Sequence, residues 1–490
     1  MNKFLFPAEY TSKSIVVYMV IMALLSVSML NLALPFWLLI FDFVGLLLFF
    51  YGTYYFTRAW SNFSSRKFDN RLFWIALVIR LAYVIFIYNF NWIHYGTFHE
   101  SDVADIGFYT ETSQVSYNFM FTYGYTPEMV YAKYLEWKIE YSDMGYIIYL
   151  LIVKILTRDI HPIIPALLLK ALFGALTCLY MTRIARNHFS EGVARLTGIF
   201  CMLQTNMIWW CGSMMKETEM VFVMVMAIYY TDSIFLSDQK WTWKTWIRPG
   251  IFMVIMGFLR TTLLAVEVLS LAVALLMSSQ RVIGTQRRVI GIVMILGFIV
   301  VLMTGFLGDE LQGLEQKATN SDYQQNNMEW RTRREHGNKY AKYAGAAVFA
   351  PLIFTIPFPT MLYTRQGQEM QMMMAPGYYE KNLMSFFVIF IMFAMLKPYN
   401  KENIFVGEWR RHVYIIASLV GYLAALALSA FGHSGRFHFP AIPLEMMFAA
   451  YGMERVLQTG RKNWFDAVLL VEVLICLGWN IFKLSGQGLI

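Results

Sequence analysis

The sequence predicts an all-α protein that passes repeatedly through a membrane. Three observations carry the prediction. Of 490 residues, 58% are hydrophobic and 15% charged, whereas soluble domains run near 45–50% and about 25%. Apolar runs of roughly 17–25 residues recur along the chain, each long enough for a helix to cross a hydrocarbon core. Between them, Lys and Arg gather in short loops, the pattern of segments held on the cytoplasmic side. No long polar stretch is left to build a separate soluble domain. The four cysteines, Cys178, Cys201, Cys211 and Cys476, sit in or beside apolar segments and read as small buried hydrophobes. The formal charge of +8 follows from the cytoplasmic loops and gives no reason to expect nucleic acid as a partner.

In chain order, spans are expected at 15–33, 36–56, 72–90, 163–183, 193–211 and 219–236, then at 288–307, 383–397, 411–431, 439–455 and 464–483. The first is read as uncleaved, because no small-residue cleavage site follows it. The run 249–277 needs separate treatment. Crossing once, it would put Arg281, Arg287 and Arg288 outside; two short helices turning near Arg260 keep them inside. Short helices are tolerated where protein or a watery cavity surrounds their tips. The result is about 13 crossings, with the N-terminus inside and the C-terminus outside. Residues 1–71 then hold two spans and a basic loop, 72–307 a membrane core, 308–382 an external loop, and 383–490 the last spans.

The external loop 91–143 carries eight carboxylates against two lysines, a net charge of −6. Its stretch HESDVADIGFY places Glu100, Asp102 and Asp105 directly after a membrane-length run. Residues 127–156 mix Tyr, Trp and charges in a helical pattern, the composition of interfacial helices.

Four segments in this order resemble the GT-C glycosyltransferases. RLFWIALVIRLAYVIF followed by D-I-G-F-Y, Asp105 to Tyr109, resembles that family's opening helix and loop acid, D-x-x-x-Y. ALLLKALFGALTCLYMTRIARNHF resembles its next span, and WWCGSMMKETEMVFVMVMAIYY a recurrent lysine–glutamate pair, here Lys216 and Glu217. SGRFHFPAIPLEMMFAAYGM resembles the family's R-Y-x-x-P-x-x-P segment. The branch most similar uses polyprenyl-phosphate sugars, as the protein mannosyltransferases and aminoarabinose transferases do. Two extra spans precede the motif region and no soluble domain is appended, which speaks against the large sequon-reading oligosaccharyltransferases.

The resemblance implies a donor sugar on a polyprenyl phosphate or pyrophosphate, an acceptor glycan, lipid or protein, and inversion at the anomeric carbon. It implies the cytoplasmic membrane of a bacterium, with chemistry on the periplasmic face. Asp105 is the expected base, with Tyr109 at the family spacing; Asp102 is close behind, and Glu100 either holds a cation or orients the acceptor. The plain alternative is that these acids keep an external loop soluble. No tightly bound metal is expected, although Glu100, Asp102 and Asp105 have oxygen ligands suited to Mg²⁺ or Mn²⁺.

Such a transfer needs a base for the nucleophile and positive charge for the leaving phosphate. Lys216 and Glu217 are candidates for donor phosphate and for orienting donor or acceptor, the alternative being a local ion pair. Arg260 costs at least about 2.5–3.5 kcal/mol within an apolar run unless it reaches water or a partner. It is expected to clamp phosphate or to pair with Glu267. Arg436, flanked by His433 and His438, is a further phosphate candidate or an interface residue. Arg331, Arg333 and Arg334 either close over an anionic glycan or line a solvated loop. The Met-rich 356–379 stretch suggests a re-entrant element against a prenyl chain. Asp143 reads first as a helix cap and second as a substrate-binding acid.

Two other functions remain open on sequence. One is a polymerase or ligase of lipid-linked repeat units, kept alive by the arginines at 331–334. The other is a lipid-linked glycan transporter, which typically shows related halves and midplane charges; no internal repeat is visible here.

Overall fold

Every element among the described residues is a helix. The structure, a computed structural model, describes residues 36–97, 104–236, 243–277, 377–395, 409–428 and 435–459, with scattered positions between 15 and 24, 289 and 297, and 466 and 474. The helices are α1 (Phe36–Ala59), α2 (Ser65–Tyr95), α3 (Ala104–Phe121), α4 (Pro127–Glu136), α5 (Tyr141–Thr157), α6 (Ile163–His188), α7 (Glu191–Leu203) and α8 (Thr205–Trp209). A 3₁₀ turn (Trp210–Gly212) follows, then α9 (Glu217–Leu236), α10 (Trp243–Leu259) and α11 (Thr261–Met277). Towards the C-terminus come α12 (Gly377–Met395), α13 (Trp409–Leu428), the short α14 (Gly435–His438) and α15 (Ile442–Thr459).

Three of these, α2, α6 and α9, are long and apolar enough to cross a bilayer. The described residues are all-α, and helices of this length and apolarity mark a membrane protein. In α2 the residues Leu72, Ala76, Arg80, Val84 and Ile87 form a buried stripe, while Trp74, Val78, Ile85 and Ile93 are more than half exposed. A helix apolar on both its packed and its open face is at home in lipid, not in water.

One correction concerns the expected elements. The run 193–211 is not one helix: α7 ends at Leu203, and Gln204 is extended at φ −61°, ψ 118°. Its buried side chain accepts a hydrogen bond from the Asn206 amide at 3.0 Å, starting a new helix. At 13 residues, α7 is only about 20 Å long, short of a ~30 Å core. In the 249–277 run the helix is interrupted at Arg260, between α10 and α11. The spans expected at 15–33, 288–307 and 464–483 lie largely outside the described residues.

The chain divides into two units. One comprises residues 1–64, 188–206 and 268–490. Its aromatic core packs Phe49, Phe200 and Phe387 in tilted and edge-on contacts with centroids 4.7–5.7 Å apart, which joins α1, α7 and α12. The Arg195 guanidinium donates to the carbonyls of Trp60, Ser61 and Phe63, satisfying backbone acceptors just beyond the end of α1.

The other unit comprises residues 65–187 and 207–267. Here α3 packs on α5, α5 on α10, and α10 on α9, with the 3₁₀ turn against α2. Two glycines permit close approach. A Cβ on Gly145 would lie 2.5 Å from the Phe258 carbonyl oxygen, so the residue lets α10 close on α5; one on Gly174 would meet Arg80 Nε at 2.6 Å and Cys211 Sγ at 2.7 Å. Absence of a side chain is what these contacts need. Arg80 itself is fully buried, donating to the Ala76 carbonyl and reaching Cys178 Sγ at 3.2 Å.

Candidate functional site

The second unit brings together residues far apart in sequence. Thr126 caps α4, accepting from the Met129 amide, with Pro127 in the first turn, a favourable helix start. After α4 the chain passes through Lys138 at φ +54° and enters α5. The N-cap there is Glu140, which makes no side-chain cap bond. Asp143 is therefore not a cap, correcting the expectation: it lies in the first turn of α5 with its side chain turned to other partners.

Those partners are Tyr109 and Lys216. The Tyr109 hydroxyl donates to Asp143 Oδ1 at 2.7 Å. Lys216 Nζ donates to the same oxygen at 2.5 Å and to the Ser142 carbonyl at 2.6 Å. Tyr109 comes from α3, Asp143 from α5 and Lys216 from the turn before α9, so one bonded chain ties three elements. The partner of Lys216 is Asp143, not the adjacent Glu217 that sequence suggested. Burial lowers the Lys216 pKa, Asp143 opposes that shift, and the nearby Arg260 guanidinium reinforces it. Arg260 is thus close enough for its charge to be felt.

A second ion pair lies beside the first. Lys170 Nζ meets Glu219 Oε2 at 2.6 Å and also donates to the Met215 carbonyl. Tyr146 stands between the pairs: its ring is edge-on to Tyr109 with centroids 5.1 Å apart, and Lys170 Nζ lies 5.1 Å from its centroid. Lys216 Nζ lies 5.8 Å from the Tyr109 centroid. Burial and the neighbouring Glu219 and Glu217 raise the Tyr146 phenol well above its ordinary value, so it stays neutral. The pairs differ in access. Lys170 and Glu219 side chains are 0% and 6% exposed, Lys216 and Asp143 4% and 24%. The cluster opens on the side of Asp143.

Asp105 occupies the first turn of α3, one helical turn before Tyr109 and on the same face. It is half-buried. An acid there also suits the positive helix N-terminus. Glu217 is buried and electrostatically coupled to Lys216.

The remaining candidates distribute differently. Arg436 and His438 belong to the other unit. Arg436 stacks near the Phe437 ring at 5.7 Å. His438 Nε2 lies 3.0 Å from Glu445 Oε1, both buried, so its ring is engaged inside the bundle. Glu100, Asp102, Arg331, Arg333, Arg334 and His433 lie outside the described residues, as does most of the 356–379 segment. Among the described residues, no three His, Cys, Asp or Glu side chains converge as metal ligands would.

Sequence reasoning missed Lys170, Glu219 and Arg80. The signal was present: LLLKALFG and ALVIRLAY each carry a cation within an apolar run, and an intramembrane ionisable residue is a site candidate by default.

Comparison with known proteins adds no assignment. No family model matches the chain, and neither does any curated protein.

Proposed function

We propose that the chain is a GT-C type glycosyltransferase of about 13 crossings, acting at the periplasmic face of a bacterial cytoplasmic membrane. It moves a sugar from a polyprenyl-phosphate or pyrophosphate donor to a glycan, lipid or protein acceptor. The observation that carries this reading is the convergence of Tyr109, Asp143 and Lys216 beside Arg260. Cations for the leaving phosphate and an acid able to take a proton are what transfer from a lipid phosphate requires.

In the proposed reaction Asp105 takes the proton from the acceptor hydroxyl as its oxygen attacks the anomeric carbon. The bond from that carbon to the phosphate oxygen breaks, and its electron pair leaves with the lipid phosphate. Lys216 and Arg260 stabilise the charge that develops there. Asp143 plays a different part. One of its oxygens already accepts from Tyr109 and Lys216, so it holds the ammonium in place.

The test is transfer of labelled sugar from polyprenyl-linked donor pools in membranes holding wild type, Asp105→Asn or Asp102→Asn at equal protein level. Loss in Asp105→Asn alone supports the assignment. Full activity in both variants removes the acidic loop from the chemistry, and no transfer by wild type from any lipid donor overturns the reading.

A further inference from the structure

A cavity of about 460 Å³ lies further along α3 and α5, within the ~300–1,000 Å³ range of small-ligand pockets. Its polar wall is Tyr88, Thr110, Ser113, Gln114, Lys154, Asp159 and His161; its apolar wall includes Leu150, Ile160, Ile163 and Ile164. None of Tyr109, Asp143 or Lys216 lines it. Lys154 stands about three turns, roughly 16 Å, beyond Asp143 along α5.

Its position follows from the spanning helices. Tyr88, near the C-terminal end of α2, and Ile163 and Ile164, at the N-terminal end of α6, both face the cavity. Tyr88 lies about two turns before the end of one candidate span and Ile163 at the start of another, which sets the cavity towards a membrane boundary. Ile160, which lines the cavity, is 68% exposed, an apolar edge suited to lipid.

The polar groups are built, not incidental. Lys154 Nζ donates to Gln114 Oε1 at 2.5 Å, Gln114 Nε2 donates to Asp159 Oδ2 at 2.8 Å, and Lys154 lies 3.4 Å from Asp159. The loop that brings Asp159 back holds Arg158, Asp159 and His161 at φ +53°, +60° and +46°. Non-glycine residues in that region cost energy and persist where the surroundings demand them. Lys154 is already compensated by Asp159, so that pair offers an anion no net charge. It offers donors and acceptors side by side, which matches hydroxyl groups, each able to give and accept.

We propose that this cavity is a binding site for a neutral polyhydroxylated ring, a hexose or its like, taken either free or as the head group of a membrane glycolipid. The site goes beyond the transfer reaction above and does not depend on it, because binding is read without turnover.

The experiment is saturation-transfer NMR on the full chain in lipid nanodiscs. The probes are methyl β-D-glucopyranoside, n-octyl β-D-glucopyranoside and inorganic phosphate. Transfer to the ring protons of the methyl glycoside supports a free sugar; transfer to the octyl glycoside alone supports entry from the bilayer. In either case the signal is to fall at least several-fold in Gln114→Leu and in Ile160→Trp. The second variant narrows the mouth at an exposed residue and leaves the polar wall intact. Absence of transfer from both glycosides overturns the proposal, as does signal unchanged in both variants. Displacement of the signal by inorganic phosphate also overturns it, since an anion would then be the ligand.

Discussion

Lys170–Glu219 and Lys216–Asp143 are the same chemistry in two settings, separated by Tyr109 and Tyr146. The first is sealed: both side chains are almost without exposure, and the lysine also serves a backbone carbonyl. The second is open on its carboxylate side and is tied to the helix that carries Asp105. A sealed pair has no route to a substrate and serves to lock α6 to α9. An open pair of like strength can exchange a partner for an incoming anion. Architecture and chemistry thus share residue types and differ in access.

The largest expected effect is on the sealed side. Glu219→Gln leaves the Lys170 ammonium buried without its counter-charge, and breaking such a pair costs about 3–5 kcal/mol. Size-exclusion profiles in detergent should show loss of the folded peak, with partial recovery in the apolar double variant Lys170→Met/Glu219→Leu. A stable single variant would mean that the pair does not hold the helices.

Next comes the packing beneath the open pair. Gly145→Leu pushes α10 away from α5, because its Cβ alone would meet the Phe258 carbonyl; about 1–3 kcal/mol is expected. The unfolding temperature should fall while Gly107→Ala, whose Cβ meets nothing within 4 Å, shifts it much less.

Tyr109→Phe removes one hydrogen bond to Asp143. The expected loss is about 0.5–1.5 kcal/mol, measured as unfolding midpoint, with transfer reduced by roughly twofold to tenfold.

The smallest effect is a pH slope. Burial holds Lys216 below its ordinary 10.5, so between that lowered value and 10.5 the unfolded chain binds more protons than the folded one. Stability from this group therefore rises with pH across that window, at most by about 1.4 kcal/mol per unit. Unfolding midpoints taken towards pH 10.5 should rise relative to Lys216→Met, which lacks this contribution; identical slopes would remove the titration from Lys216.

Helix positions were mostly legible because apolar length and flanking charge are local signals. α1, α2, α6 and α9 lie where the runs predicted, and Arg260 marks the break between α10 and α11. The run containing Gln204 misled, since its break depends on a side chain bonding back to the next amide. In the site, Tyr109, Asp143 and Lys216 were each legible as chemistry-bearing residues. Their mutual bonding was not, because it depends on how α3 and α5 pack. Lys170 and Glu219 are paired across 49 residues, a contact that no local pattern reports.

The most direct measurement is the initial rate of sugar transfer from a polyprenyl-linked donor, per mole of folded protein, for Asp143→Asn against wild type. With Lys216 released, misplacement of its charge at the leaving phosphate is expected to cost about 100-fold per folded molecule. An unchanged rate per folded molecule would contradict the account, leaving the open pair as one more structural lock.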